Sequence, residues 1–151
     1  YYKRTYNSPH TLNVSKPDGR TVVRMTMTSI YFMLSEDRQI GYMHKNEFDV
    51  MLYYQLGRPI KFTLLYMNGR LEERILGPGV LSGEKLQLFA PAGVWIGSML
   101  MPGGMCDFGL TSEATSPGFE YEDMTLATND LLRTLHPQHW DAVKHLIPQN
   151  K

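Results

Sequence analysis

From Thr21 to Tyr121 the chain reads as one short strand after another, and Gly, Pro or Asn chemistry marks the breaks between them. That spacing is the signature of an all-β sandwich or barrel. Thr21–Leu34 is rich in β-branched and aromatic residues and ends at the polar turn Ser35-Glu-Asp-Arg38. Gly41–Leu56 is long enough for two strands, bent near Asn46-Glu47. Ile60–Met67 and Arg70–Leu76 flank Asn68-Gly69, whose preference for positive φ predicts a two-residue type I′ hairpin. Lys85–Ala90, Val94–Met101, Met105–Thr115 and Gly118–Tyr121 read as four further strands, separated by Pro-Gly or Pro-x-Gly breaks. The tail changes period. Thr128 or Asn129 is placed to cap a short helix through Leu135, and Pro137 to open a second. Trp140, Val143 and Ile147 recur at helical spacing and predict an apolar face packed on the outside of the barrel.

Charge and cysteine content narrow the function classes. Fifteen basic and fifteen acidic residues are spread along the chain for a net charge of zero. A nucleic-acid partner would call for a basic stripe, and none is visible. A single cysteine, Cys106, rules out an intrachain disulfide and fits a reducing, cytoplasmic setting. No apolar run approaches the ~20 residues that span a bilayer, so no membrane association is expected. The 151 residues fit one domain.

Two segments carry a resemblance. Gly41-Tyr-Met-His44-Lys-Asn-Glu-Phe-Asp49-Val50-Met-Leu52 and Pro91-Ala-Gly93-Val-Trp95-Ile96 are similar to the two signature stretches of cupin barrels. Tyr1–Ser8, Thr28-Ser-Ile-Tyr31-Phe-Met-Leu34, Gly57-Arg-Pro59-Ile and Ser116-Pro-Gly-Phe119-Glu-Tyr121-Glu-Asp123 resemble further segments of a small single-domain cupin family, mostly without assigned function. The resemblance implies an all-β, cupin-type double-stranded β-helix (a jelly-roll barrel) with short C-terminal helices. It also implies a homodimer, and a helix and strand segment preceding Tyr1.

The departures shape the chemistry. By the resemblance a carboxylate is expected where this chain has Val50, an aromatic residue where it has Leu52 and a histidine where it has Ile96, so of the expected metal ligands only His44 remains. A first-row metal needs three or four converging donors, so no metal and no cofactor is expected. Keto-sugar epimerases of the same barrel use a histidine base with a tyrosine acid. His44 is the corresponding candidate base here, with Tyr54 or Tyr31 as acid. Arg4, Met51, Trp95, Phe119 and Tyr121 are candidate ligand-binding residues, Arg4 for a carboxylate. Ten methionines and a high aromatic content suggest a pocket for a small hydrophobic or aromatic molecule. Of the charges set within strands, Arg4, Arg24, Asp49, Glu113 and Glu120, most are expected to face outward.

The expected function is a metal-independent enzyme catalysing acid–base isomerisation, epimerisation, dehydration or cyclisation. A non-catalytic small-molecule binder is the alternative. A metal-dependent cupin using His44, Asp49 and Glu113 is a third reading.

Overall fold

The computed structural model describes residues 1–148. Its strands are β1 (Tyr2–Asn7), β2 (Thr11–Ser15), β3 (Thr21–Met25), β4 (Thr28–Ser35), β5 (Ile40–Asn46) and β6 (Val50–Gly57). They continue as β7 (Ile60–Leu65), β8 (Leu71–Leu76), β9 (Gln87–Ala90), β10 (Trp95–Leu100), β11 (Phe108–Thr115) and β12 (Met124–Leu126). One antiparallel sheet has the order β1-β4-β11-β6-β9 and the second the order β12-β5-β10-β7-β8. From β4 onward the chain repeatedly crosses from one sheet to the other, which is the jelly-roll topology. Strands β2 and β3 form a separate hairpin.

Side chains alternate across each strand, so one row of every strand enters the space between the sheets. Leu34, Val50, Leu52, Ile60, Phe62, Leu64 and Ile96 fill that space as the main core. The opposite row of the second sheet presents Met43, Leu65 and Trp95 outward. Helices α1 (Asn129–Leu135) and α2 (Trp140–Val143), with 3-10 turns on either side of α2, cover it through Leu132, Val143, Leu146 and Ile147. Thr128 caps α1, its hydroxyl accepting from the Leu131 N–H at 3.3 Å. The tail approaches so closely that a Cβ at Gly97 would meet Leu146 at 3.0 Å.

Three expectations require correction. The β7–β8 connection is not a two-residue turn, because among the described residues none other than glycine has positive φ. Tyr66 and Arg70 pair, the Gly69 N–H donates to the Tyr66 carbonyl at 2.9 Å, and Gly69 alone is left-handed at φ 84°. This is the three-residue loop with a glycine bulge, and Lys16–Arg20 repeats it around Gly19. Thr21–Leu34 is two strands, broken at Thr26-Met27 where the chain leaves the hairpin for the first sheet. Gly118–Tyr121 forms no strand; a 3-10 turn over Tyr121–Asp123 leads into β12 instead.

The hairpin is tied down by charge. Lys16, Arg24 and Asp123 are 5%, 7% and 1% exposed. Arg24 donates to both Asp123 oxygens at 2.8 Å, Lys16 donates to Asp123 at 2.5 Å, and Glu47 and Glu122 complete the group. Burial works to raise the Asp123 carboxyl, but its bonds from Arg24 and Lys16 prevail and hold it below the ordinary carboxylate value.

Removing one charge from such a group strands the others in a poor solvent for ions. Asp123→Asn should therefore destabilise the fold by about 3–5 kcal/mol in urea unfolding. Asp18→Asn, in the exposed pair with Arg20, should leave the urea midpoint almost unchanged, because exposed ion pairs contribute little. Equal effects for the two would contradict the role given to Asp123.

Candidate functional site

Between the sheets, above the main core, lies a cavity of about 290 Å³. Its walls are largely apolar, formed by Ile30, Phe32, Val50, Leu52, Phe62 and Ile96. Gly41 keeps part of it open: a Cβ there would fall 2.1 Å from Ser98 Oγ and 2.9 Å from the Phe32 ring. Among the titratable side chains that line it, His44 faces inward from β5 and Glu113 from β11, on different walls. Pairing sets both rows. His44 lies opposite Ile96 on β10, while Glu113 lies between Ile30 on β4 and Leu52 on β6.

The His44 ring is oriented by its own strand. A carbonyl can only accept, so Nδ1–H donates to the Tyr42 carbonyl at 2.9 Å and Nε2 is left as the proton acceptor. Burial lowers the His44 pKa below its ordinary value, against the smaller raising effect of that carbonyl bond. The Glu113 carboxyl has no hydrogen bond or ion pair among the described residues, and burial alone pushes its pKa up to about 7. Burial thus favours the uncharged form of both groups.

The rim is aromatic. Tyr2, Tyr42 and Tyr121 line the opening and are each at least half exposed. The Tyr2 and Tyr121 hydroxyls bond one another, and Phe119 packs edge-on against Tyr121 at 5.4 Å between ring centroids. Thr28 fixes this segment, its hydroxyl accepting the Phe119 N–H at 2.9 Å. Arg4 also lines the cavity, held by Asn7 Oδ1 at 3.0 Å and the Phe119 carbonyl at 3.1 Å.

Of the residues singled out in the sequence, His44, Arg4, Phe119 and Tyr121 meet at this cavity. Four others lie outside it. Trp95 is fully buried beneath the C-terminal helices, because Ile96 faces inward and its neighbour must face out. Met51 is turned outward in the same way by Val50 and Leu52, and Tyr31 by Ile30 and Phe32, which leaves Tyr31 45% exposed. Tyr54 packs against the core beyond the cavity, its hydroxyl donating to the Gly57 carbonyl at 2.8 Å. No tyrosine acid from the sequence reading therefore sits beside His44, and of the methionines only Met124 lines the cavity.

The strand charges also divide differently from expectation. Arg4 and Glu113 face the cavity and Arg24 is buried in the ion cluster, while Asp49 and Glu120 are exposed. Glu113, named in the sequence only for the metal-dependent reading and otherwise grouped with charges expected mostly to face outward, is the acidic candidate of this cavity. It is the lone charge in Phe108–Thr115 and shares its face with Thr111 and Thr115. Asp49 accepts the Ala92 N–H at 2.8 Å and does not line the cavity. Among the described residues no group of three or more His, Cys, Asp or Glu side chains could hold a metal ion. The donor set therefore does not fit the metal site that many cupins build. No helix among the described residues is long and apolar enough to cross a membrane.

The chain has relatives in sequence and in fold. An uncharacterised protein of Saccharomyces cerevisiae is 34% identical over 158 residues, spanning all of this chain and 73% of its own. A hypothetical protein from Leishmania major superposes with a TM-score of 0.87 at 26% identity, covering 99% of this chain and 89% of that one. A dTDP sugar isomerase from Desulfovibrio desulfuricans shares the fold, with a TM-score of 0.59 at 15% identity over 93% of this chain and 90% of its own. The model of the Cupin superfamily (DUF985) matches residues 1–127, and the chain belongs to that family.

Proposed function

We propose that this cupin is a metal-independent enzyme that isomerises or epimerises a small, largely apolar organic molecule by proton transfer. The observation that carries the reading is the placement of His44 and Glu113 on different walls of one apolar cavity. Burial lowers the pKa of the first and raises that of the second. Two groups brought towards neutrality from opposite sides form a base and an acid that coexist near pH 7.

In this mechanism His44 Nε2 removes a proton from a carbon acid held between the walls. Glu113, as the neutral acid, delivers one at a second position or on the other face. The Tyr42 carbonyl supports the imidazolium that forms, since it accepts from Nδ1–H throughout. The apolar walls hold the substrate in register and strengthen every charge interaction in the step. The same pair could serve dehydration or cyclisation, but a base and an acid on different walls favour moving a proton from one face to another. Glu113 takes the role that sequence reading gave to a tyrosine.

The ligand that copurifies with the chain, identified by mass spectrometry and returned to the protein in D2O, provides the test. Wild type should exchange a carbon-bound proton of that ligand for deuterium. His44→Asn and Glu113→Gln should each slow exchange by at least ~100-fold, within the range for loss of a general acid or base, while still binding it. Binding without exchange in wild type would make the chain a non-catalytic binder.

The pH profile has a fixed sign. The rate should fall in acid as His44 becomes protonated, at a pH below the ordinary histidine value of 6.5. It should fall again above about 7 as Glu113 loses its proton. Initial rates from pH 4 to 9 check this, and a rate still rising past pH 8 would contradict Glu113 as the acid.

A further inference from the structure

Arg4, only partly buried at the cavity rim, differs from the buried cations. Lys16 meets Asp123 and Glu47, Arg24 meets Asp123 and Glu122, and Arg58 meets Glu36. Arg4 bonds only neutral acceptors, the Asn7 side-chain oxygen and the Phe119 carbonyl. A guanidinium has five N–H donors, so three remain without a partner among the described residues. The arginine is aimed by its strand: Arg4 pairs with the cavity-lining Ile30, and a bulge between Arg4 and Tyr6 shifts the register just beyond it. Bulges re-aim side chains in this way beside binding sites.

The remaining charges of the cavity leave that cation uncompensated. The other titratable groups lining it are Tyr2, Tyr42, His44, Glu113 and Tyr121. Glu113 forms no ion pair with Arg4. A permanent positive charge at the aromatic rim of an otherwise apolar chamber is complementary to an anion with an apolar body.

We propose that the cavity selects a small carboxylate, its carboxyl group paired with the Arg4 guanidinium at the rim and its apolar body against Val50, Leu52 and Ile96. This deepens the proposed function and rests on the cavity as its ligand site. The carboxylate is the handle of the ligand; the reacting carbon lies deeper, between His44 and Glu113. The planar fork of arginine suits a carboxylate better than a point charge would.

Benzoate and benzamide are matched probes, alike in ring and shape but differing in charge, and small enough for about 290 Å³. Each would be titrated into the 15N-labelled full chain, wild type and the Arg4→Gln and Arg4→Lys variants, with amide shifts read at Ile96 and Leu52. Benzoate should bind wild type at least tenfold more tightly than benzamide. Arg4→Gln should make the two equal, and Arg4→Lys should keep part of the difference. Unchanged melting curves would show that both variants fold.

Equal affinities in wild type, or a benzoate preference that survives Arg4→Gln, would overturn the proposal while leaving the proton-transfer reading intact. Failure of both probes to shift cavity residues would overturn the proposal together with the cavity reading beneath it.

Discussion

Desolvation is the constraint on which the rest of the site depends. His44 and Glu113 are ordinary residues made unusual by their surroundings, since Ile30, Val50, Leu52 and Ile96 supply neither charge nor hydrogen bonds. In water a histidine and a glutamate would be an imidazole and a carboxylate at neutral pH, good for a base but not for an acid. Within the barrel the charged form of each is disfavoured. The replacement of expected ligands by Val50 and Ile96, with Leu52 beside them, is therefore more than a deletion. Their side chains are walls of the cavity that shifts His44 and Glu113.

A cavity of this kind needs support from outside, because the space it occupies is taken from the core. Two devices provide it. The C-terminal helices bury the outward row of the second sheet, so β5 and β10 are held from behind by Leu132, Val143 and Leu146, packed on Met43 and Trp95. At the other end the Asp123 cluster joins the β2–β3 hairpin to the segment that carries Phe119, Tyr121 and β12. Strand β12 pairs with β5 so that Leu126 lies opposite His44. The ion cluster thus anchors the rim and the strand beside the candidate base together, while its own charges stay away from the cavity. Arg4 is the cation that the fold leaves without a carboxylate partner at the rim.

Much of this could be read from the residues, and the failures have physical causes. Strand existence followed from turn chemistry and β-branched runs, and the helical tail from Thr128, Pro137 and the spacing of Val143 and Ile147. The hairpin turn was misread because Asn-Gly serves two loop types, and only pairing of Tyr66 with Arg70 distinguishes them. Trp95 and Met51 were assigned to the cavity on residue type alone. Yet if Val50, Leu52 and Ile96 face inward, strand alternation already turns both outward. Glu113 was not assigned as the acid for the opposite reason. A charge in a strand is usually solvated, and nothing local reveals that Thr111, Glu113 and Thr115 face the barrel interior; that depends on β11 pairing between β4 and β6. The motif ending at Asp123 was found, but its partners Lys16 and Arg24 are a hundred residues away in sequence and invisible without the fold.

The central claim is that the barrel keeps Glu113 as a neutral acid near physiological pH, and it can be measured without knowing the substrate. Carbon-13 labelling of glutamate side chains lets each carboxyl be titrated by NMR, with the Glu113 signal assigned by its absence in Glu113→Gln. The account predicts a midpoint near 7 for that one carboxyl, against an ordinary value of 4.5. A midpoint close to 4.5 would mean that Glu113 is solvated and ionised, and would contradict the acid–base reading of the cavity.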